Sequence, residues 1–178
     1  MATDITYYCY PATERPPQVA AKVARAFRAN ETEISTIELS QEASLTSDEV
    51  LDTVRAELED IGFEIEAGKA ADERVYRPAA FRDNGEPAHR YEVDGYHEEE
   101  NCVIEVEAGR AWDSNHTHRN LIRAMTMADV EVLVMAVPQK YKHSNATTPA
   151  FDKSREIVET LYQTRRIELP FKLVLLGY

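Results

Sequence analysis

Apolar residues recur along this chain at helical spacing in some stretches and at strand spacing in others, and the changes of period mark the elements. Ile5 to Tyr10 is aromatic-rich and ends at Pro11, as a short strand or arm does. After Pro16-Pro17, the residues Val19, Val23, Ala26 and Phe27 share one side of a helix predicted over Gln18 to Ala29. Ile34 to Leu39 alternates apolar with polar and predicts a brief strand. Thr46 with Glu49 three residues later is a capping-box signature. Val50, Leu51, Val54, Leu58 and Ile61 then repeat at helical spacing until Gly62 ends the run. Glu57 projects at the margin of this stripe, beside Val50, Val54 and Ile61. An acid there either passes the core edge into water or is aimed inward at something positive.

Gly68 to Asp72 reads as a loop, Arg74 to Ala79 as a strand, and Asp83-Asn84-Gly85-Glu86-Pro87 as a turn. Tyr91 to Arg110 alternates on both sides of a polar centre, His97 to Asn101, and predicts a β-hairpin. Strands near 74–79, 89–96 and 102–109 would then run as an antiparallel meander. After Gly109 the period lengthens: Asp113 or Ser114 can cap a helix to about Ala128, with His118, Leu121, Ile122 and Met125 inward. Glu131 to Val137 is near-continuously apolar, as in a strand buried on both faces. Strand, helix, strand in that order is a βαβ crossover, which makes the Val132 strand parallel to the Ile104 strand. Beyond the loop Pro138 to Thr147, Thr148 and Pro149 open a further helix to about Thr164, and Pro170 precedes a last strand, Lys172 to Leu176. The pattern predicts one α/β domain over residues 1–178, a mixed sheet flanked by helices, with no internal repeat or linker.

Composition narrows the class. Of 178 residues, 43% are hydrophobic, enough for a folded core. The opening Met1-Ala-Thr-Asp-Ile lacks the basic and apolar regions of a signal peptide, and no apolar run could span a bilayer, so the expectation is a soluble cytoplasmic protein. Cys9 and Cys102 follow no metal-binding spacing and read as small core residues. Asn145-Ala146-Thr147 matches a glycosylation sequon that has no role without secretion. The formal net charge is −12, with Arg far outnumbering Lys, a composition that resembles proteins of salt-loving microbes. Such a charge disfavours nucleic acid, yet in molar salt its long-range part is screened within about 3 Å.

The chemistry concentrates in the hairpin. Centring its turn on 97–101 sets Asp94 opposite Glu105 and Glu92 opposite Glu107, on one face with Tyr96 and Val103. Like charges directly opposed on a sheet repel, so these acids must splay into water, take up protons or share a cation. In so acidic a chain a solvated face is the plain alternative. Positive charge is scarce but gathers nearby. Arg110 follows the hairpin, Arg119 and Arg123 lie on the crossover helix opposite its apolar stripe, and Lys140, Tyr141, Lys142 and His143 form the most basic stretch. Each can reach phosphate or serve as solubilising surface. His116 and His118, two apart on a helix, diverge and make a poor zinc pair.

With the elements in that order, the hairpin resembles the catalytic core of the restriction-endonuclease-like nucleases, the PD-(D/E)xK superfamily. The resemblance runs from about Thr46 to the C-terminus and leaves residues 1–45 as an N-terminal extension. It implies Asp94 as the first acid and Glu105-Val106-Glu107 as the second motif. Mg²⁺ or Mn²⁺ would be held by Asp94, Glu105 and the Val106 carbonyl. Glu57 would be a further acid from the preceding helix, as in several such enzymes. Two residues depart from the pattern: Val93 stands where Pro is usual, and Glu107 where Lys is usual. Some type II restriction enzymes carry Glu or Gln at the latter place. Glu107 would then orient or deprotonate the attacking water. The implied activity is metal-dependent DNA hydrolysis by a homodimer, and the alternative is an inactive relative or an acidic interaction domain.

Overall fold

The alternating stretches pair into a six-stranded sheet that divides the core in two. A computed structural model describes residues 4–37, 45–108, 115–142, 146–164 and 166–178. In chain order the elements are β1 (Thr6–Tyr10), α1 (Gln18–Ala29), α2 (Glu31–Ile34), α3 (Ser47–Asp60), β2 (Phe63–Ile65), β3 (Val75–Phe81), β4 (Pro87–Val93) and β5 (Gly95–His97). There follow β6 (Cys102–Val106), α4 (His116–Thr126), β7 (Val132–Val137), β8 (Tyr141–Lys142), β9 (Thr147–Thr148), α5 (Ala150–Thr164) and β10 (Lys172–Gly177). The sheet order is β1-β10-β7-β6-β5-β2. The pairs β6–β7 and β7–β10 are parallel, while β1–β10, β5–β6 and β2–β5 are antiparallel. The expected mixed α/β architecture and the parallel crossover through α4 are both present.

Strand alternation sorts the core. Cys102, Ile104, Val106, Val134 and Val174 face α1 and α3, whose Val19, Val23, Phe27, Val54 and Leu58 are fully buried. Val103, Leu133, Met135, Leu173 and Leu175 face the other way, toward α4 and α5. The Thr46–Glu49 capping box forms as predicted, and Gly62, at φ +106°, ends that helix in a conformation that favours glycine. No helix among the described residues is long and apolar enough to cross a membrane.

Three expectations need correction. The stretch predicted as a strand from Ile34 is instead the end of α2 followed by non-strand backbone through Ile37, with residues 38 and 39 outside the described ones. The strand predicted over 89–96 breaks at Asp94: β4 pairs only with β3 in a separate two-stranded sheet, and β5 alone joins β6. The inward side of α4 is Thr117, Asn120, Leu121 and Ala124, whereas His118 and Ile122 are exposed. The rotation has a physical cause, because Thr117 and Asn120 are buried with hydrogen-bond partners in Ser154 and Glu107. The predicted caps Asp113 and Ser114, together with Arg110, His143 and Asn145, lie outside the described residues.

Candidate active site

The break at Asp94 builds the site. Gly95 follows it at a tight crossing, where an added Cβ would lie 2.5 Å from Ile65 Cδ1 and 2.9 Å from Ile104 Cγ2. Glycine therefore lets β5 pass between β2 and β6. Gly95 is opposite Ile104, so Asp94 is next to Glu105, as the hairpin register predicted. The Val106 backbone N–H donates to Asp94 Oδ2 at 2.6 Å, which fixes the carboxyl at the C-terminal end of β6. The Asp94 backbone carbonyl in turn accepts from Glu66 N–H at 2.9 Å. The second predicted opposition does not occur: Glu92 faces Tyr76 across the two-stranded sheet and pairs with Arg74.

Glu105 is 6% exposed and Glu107 is 7% exposed, so neither sits on a solvated face. Burial pushes the Glu105 carboxyl well above its ordinary range, Asp94 and Glu107 push it further, and Arg123 and Arg119 oppose the rise. Asp94 is raised to about 7, first by burial and then by Glu66 and Glu107, against the Val106 hydrogen bond and Arg123. Half-buried Asp94 and buried Glu105, at adjoining strand ends, thus both have proton affinities raised above those of ordinary carboxylates.

Glu107 is differently placed. Its Oε2 is 2.8 Å from His116 Nδ1, and its Oε1 accepts from Asn120 Nδ2 at 2.7 Å and lies 3.5 Å from the Arg119 guanidinium. Both oxygens are thus held by the first turns of α4. Arg123, one turn further on, is 3.8 Å from Glu105 Oε1. The sequence had set Arg119 and Arg123 toward phosphate. Here both turn toward the acids, although Arg119 is half exposed. Lys140 and Lys142 are exposed just beyond β7, whose C-terminal end adjoins that of β6.

Glu57 is not brought to this cluster. It sits on α3, which packs on the sheet face of Ile104 and Val106, opposite the face of Glu105 and Glu107, and one of its carboxyl oxygens is buried with no hydrogen-bond partner. The acid that sequence reasoning missed is Glu66, just after β2. It is 7% exposed, its carboxyl is raised mainly by burial, and its charge is felt by Asp94. Its signal was faint, a carboxylate directly after the alternating Phe63-Glu64-Ile65.

Among the described residues no three His, Cys, Asp or Glu side chains already converge as a metal cage. Like charges separate until a cation joins them. The donor set nonetheless suits a hard divalent ion, being all oxygen, largely shielded from water and short of compensating charge.

No family model matches the chain, and no curated protein matches it in sequence. Among solved structures it is similar to restriction endonuclease BglII complexed with a DNA 16-mer, at TM-score 0.53 and 14% identity, over 99% of this chain and 76% of that one. At such low identity the likeness concerns fold, and the chain has the restriction-endonuclease-like architecture.

Proposed function

We propose that this chain is a divalent-metal-dependent phosphodiesterase that cuts DNA, with Asp94, Glu105 and the Val106 carbonyl as ligands for Mg²⁺ or Mn²⁺. The carrying observation is half-buried Asp94 beside buried Glu105, with the Arg123 guanidinium 3.8 Å from Glu105 offsetting the pair only in part. A bound divalent ion would stabilise charge building on the phosphate oxygens and generate a nucleophile from water. The protein's share is positional. Val106 N–H fixes Asp94, and the register of β5 against β6 brings Glu105 beside it. Glu107, anchored by His116 and Asn120, would accept a proton from water once α4 yields one of its oxygens. Glu66 adds negative charge that favours a cation.

Lys140 and Lys142 are our candidates for phosphate contacts, with Arg119 and, following the motif directly, Arg110. The solved BglII complex lends support to DNA as the ligand. Cutting both strands would call for a homodimer, one site per strand. A second reading, a binding module in which the acids serve only as counter-charges for α4, is favoured by the full engagement of Glu107. Plasmid cleavage with Mg²⁺ or Mn²⁺, in low and high salt, separates the two. Metal-dependent nicking by the wild type and none by Asp94→Ala or Glu105→Ala is expected. Absence of both cleavage and metal-induced thermal stabilisation in the wild type would favour the module.

A further inference from the structure

Arg123 is the point where the positive charge of α4 meets the acid pair. Its guanidinium lies 3.8 Å from Glu105 Oε1, donates to the backbone carbonyl of Glu92, and stands 5.3 Å from the centre of the Tyr91 ring. Tyr91 and Glu92 are on β4 and Glu105 is on β6, so one side chain ties together the two strands that meet at Asp94. Only 19% of that side chain is exposed, which makes it part of the site and a poor contact for phosphate. At 3.8 Å the ion pair is longer than the roughly 2.8 Å of a charge-assisted hydrogen bond. The hold on Glu105 is therefore loose, while the hydrogen bond to Glu92 and the contact with Tyr91 are independent of the acids. A single guanidinium also leaves the pair of carboxylates under-neutralised. His116, Asn120 and Arg119 are committed to Glu107.

We propose that Arg123 is an exchangeable counter-ion. It neutralises Glu105 while no divalent cation is bound and gives way to one, remaining tethered to β4 through Glu92 and Tyr91. This rests on Asp94 and Glu105 being metal ligands. Two cations within a few ångströms of one carboxylate repel, so Arg123 and the metal compete and the arginine lowers metal affinity. An arginine with a merely structural role would act oppositely, since its loss would loosen the site and weaken metal binding.

Mn²⁺ binding, read from the paramagnetic resonance of free Mn²⁺, tests this in the wild type, Arg123→Met, Arg123→Lys and Glu105→Gln. Arg123→Met should bind Mn²⁺ roughly tenfold more tightly than the wild type, and Arg123→Lys should stay near it. Unchanged or weaker binding by Arg123→Met, with wild-type binding lost in Glu105→Gln, overturns the exchange and leaves the metal site standing. Binding that survives Glu105→Gln unaltered instead overturns the metal-site assignment beneath it, and no binding by any form overturns both. If Arg123→Met is unfolded without metal, Mn²⁺ should restore its far-ultraviolet circular dichroism and cooperative melting. Failure to do so at millimolar Mn²⁺ also overturns the exchange.

Discussion

Against the sheet face that carries Ile104 and Val106, α1 and α3 bury Val19, Val23, Phe27, Val54 and Leu58, all hydrocarbon. Against the face that carries Glu105 and Glu107, α4 buries Thr117 and Asn120 beside Leu121 and Ala124. Both faces exclude water, but by different means. The first excludes it because its inward groups are mostly apolar and gain from burial in proportion to area. The second does so while holding carboxylates, so each polar group needs a partner, and those that lack enough compensation change their proton affinity instead. The first face is hydrocarbon almost throughout, and the second adds carboxylates and their partners to an apolar core of its own.

The contrast is broken most forcefully on the apolar side. Phe27 is fully buried and its ring lies 5.9 Å from that of Tyr178. Phe27→Ala should destabilise the protein by about 3–5 kcal/mol, through lost transfer energy and an unfilled cavity. Chemical denaturation measures this, and a loss below about 1 kcal/mol would mean that this face does not carry the stability assigned to it.

The same difference decides what was legible in the sequence. On the apolar side the period alone sufficed: α1 has the predicted bounds, Gln18–Ala29, and α3 begins at the predicted capping box. On the acidic side the period misled. His118 and Ile122 extended a plausible stripe, but Asn120 and Thr117 displaced them, because partners just past β6 and on α5 repay their burial and no periodicity shows a partner. The hairpin register could be read, since residues opposite one another across a turn follow from counting. The bend at Asp94 could not, because it follows from the crowding of Gly95 between Ile65 and Ile104, which are distant in sequence. Glu66 escaped for the same reason, since its approach to Asp94 runs through pairing of β2 with β5.

On the acidic side, the second effect in size has the opposite sign. Asp94→Asn keeps an oxygen to accept the Val106 N–H and removes a buried charge, so the metal-free protein should gain on the order of 2 kcal/mol near neutral pH while losing cleavage. The pH dependence carries the sign. In the folded chain the carboxyl is raised to about 7. In the unfolded chain it titrates near ~3.9, so between the two the folded form holds a proton that the unfolded form releases. The stabilisation is present below the ordinary range and lost as pH rises through about 7. Wild-type melting temperature should thus fall between about pH 4 and about pH 7 and level off above, and that of Asp94→Asn should change less. Parallel profiles would mean that the Asp94 carboxyl is not raised as described.

Next in size is the bond that secures Glu107. Asn120→Ala leaves a buried carboxylate oxygen with only the Arg119 guanidinium nearby, 3.5 Å away. The expected loss is about 1 kcal/mol, together with a larger fractional fall in kcat than in substrate affinity, because Asn120 positions Glu107 without touching DNA. An unchanged kcat would leave Glu107 without a part in the chemistry and would favour the binding-module reading.

The smallest effect should come from the acid on the wrong side of the sheet. Glu57 belongs to α3, on the hydrocarbon face, and one of its oxygens is buried without a hydrogen-bond partner. Glu57→Gln removes a charge there and supplies a donor, so stability should change by less than about 0.5 kcal/mol or rise slightly. The Mn²⁺ affinity and cleavage rate should equal those of the wild type, because α3 packs on the sheet face opposite that of Glu105. A Glu57→Gln protein that folds normally but loses its metal response would place α3 in the acid cluster after all and dissolve the division between the two faces.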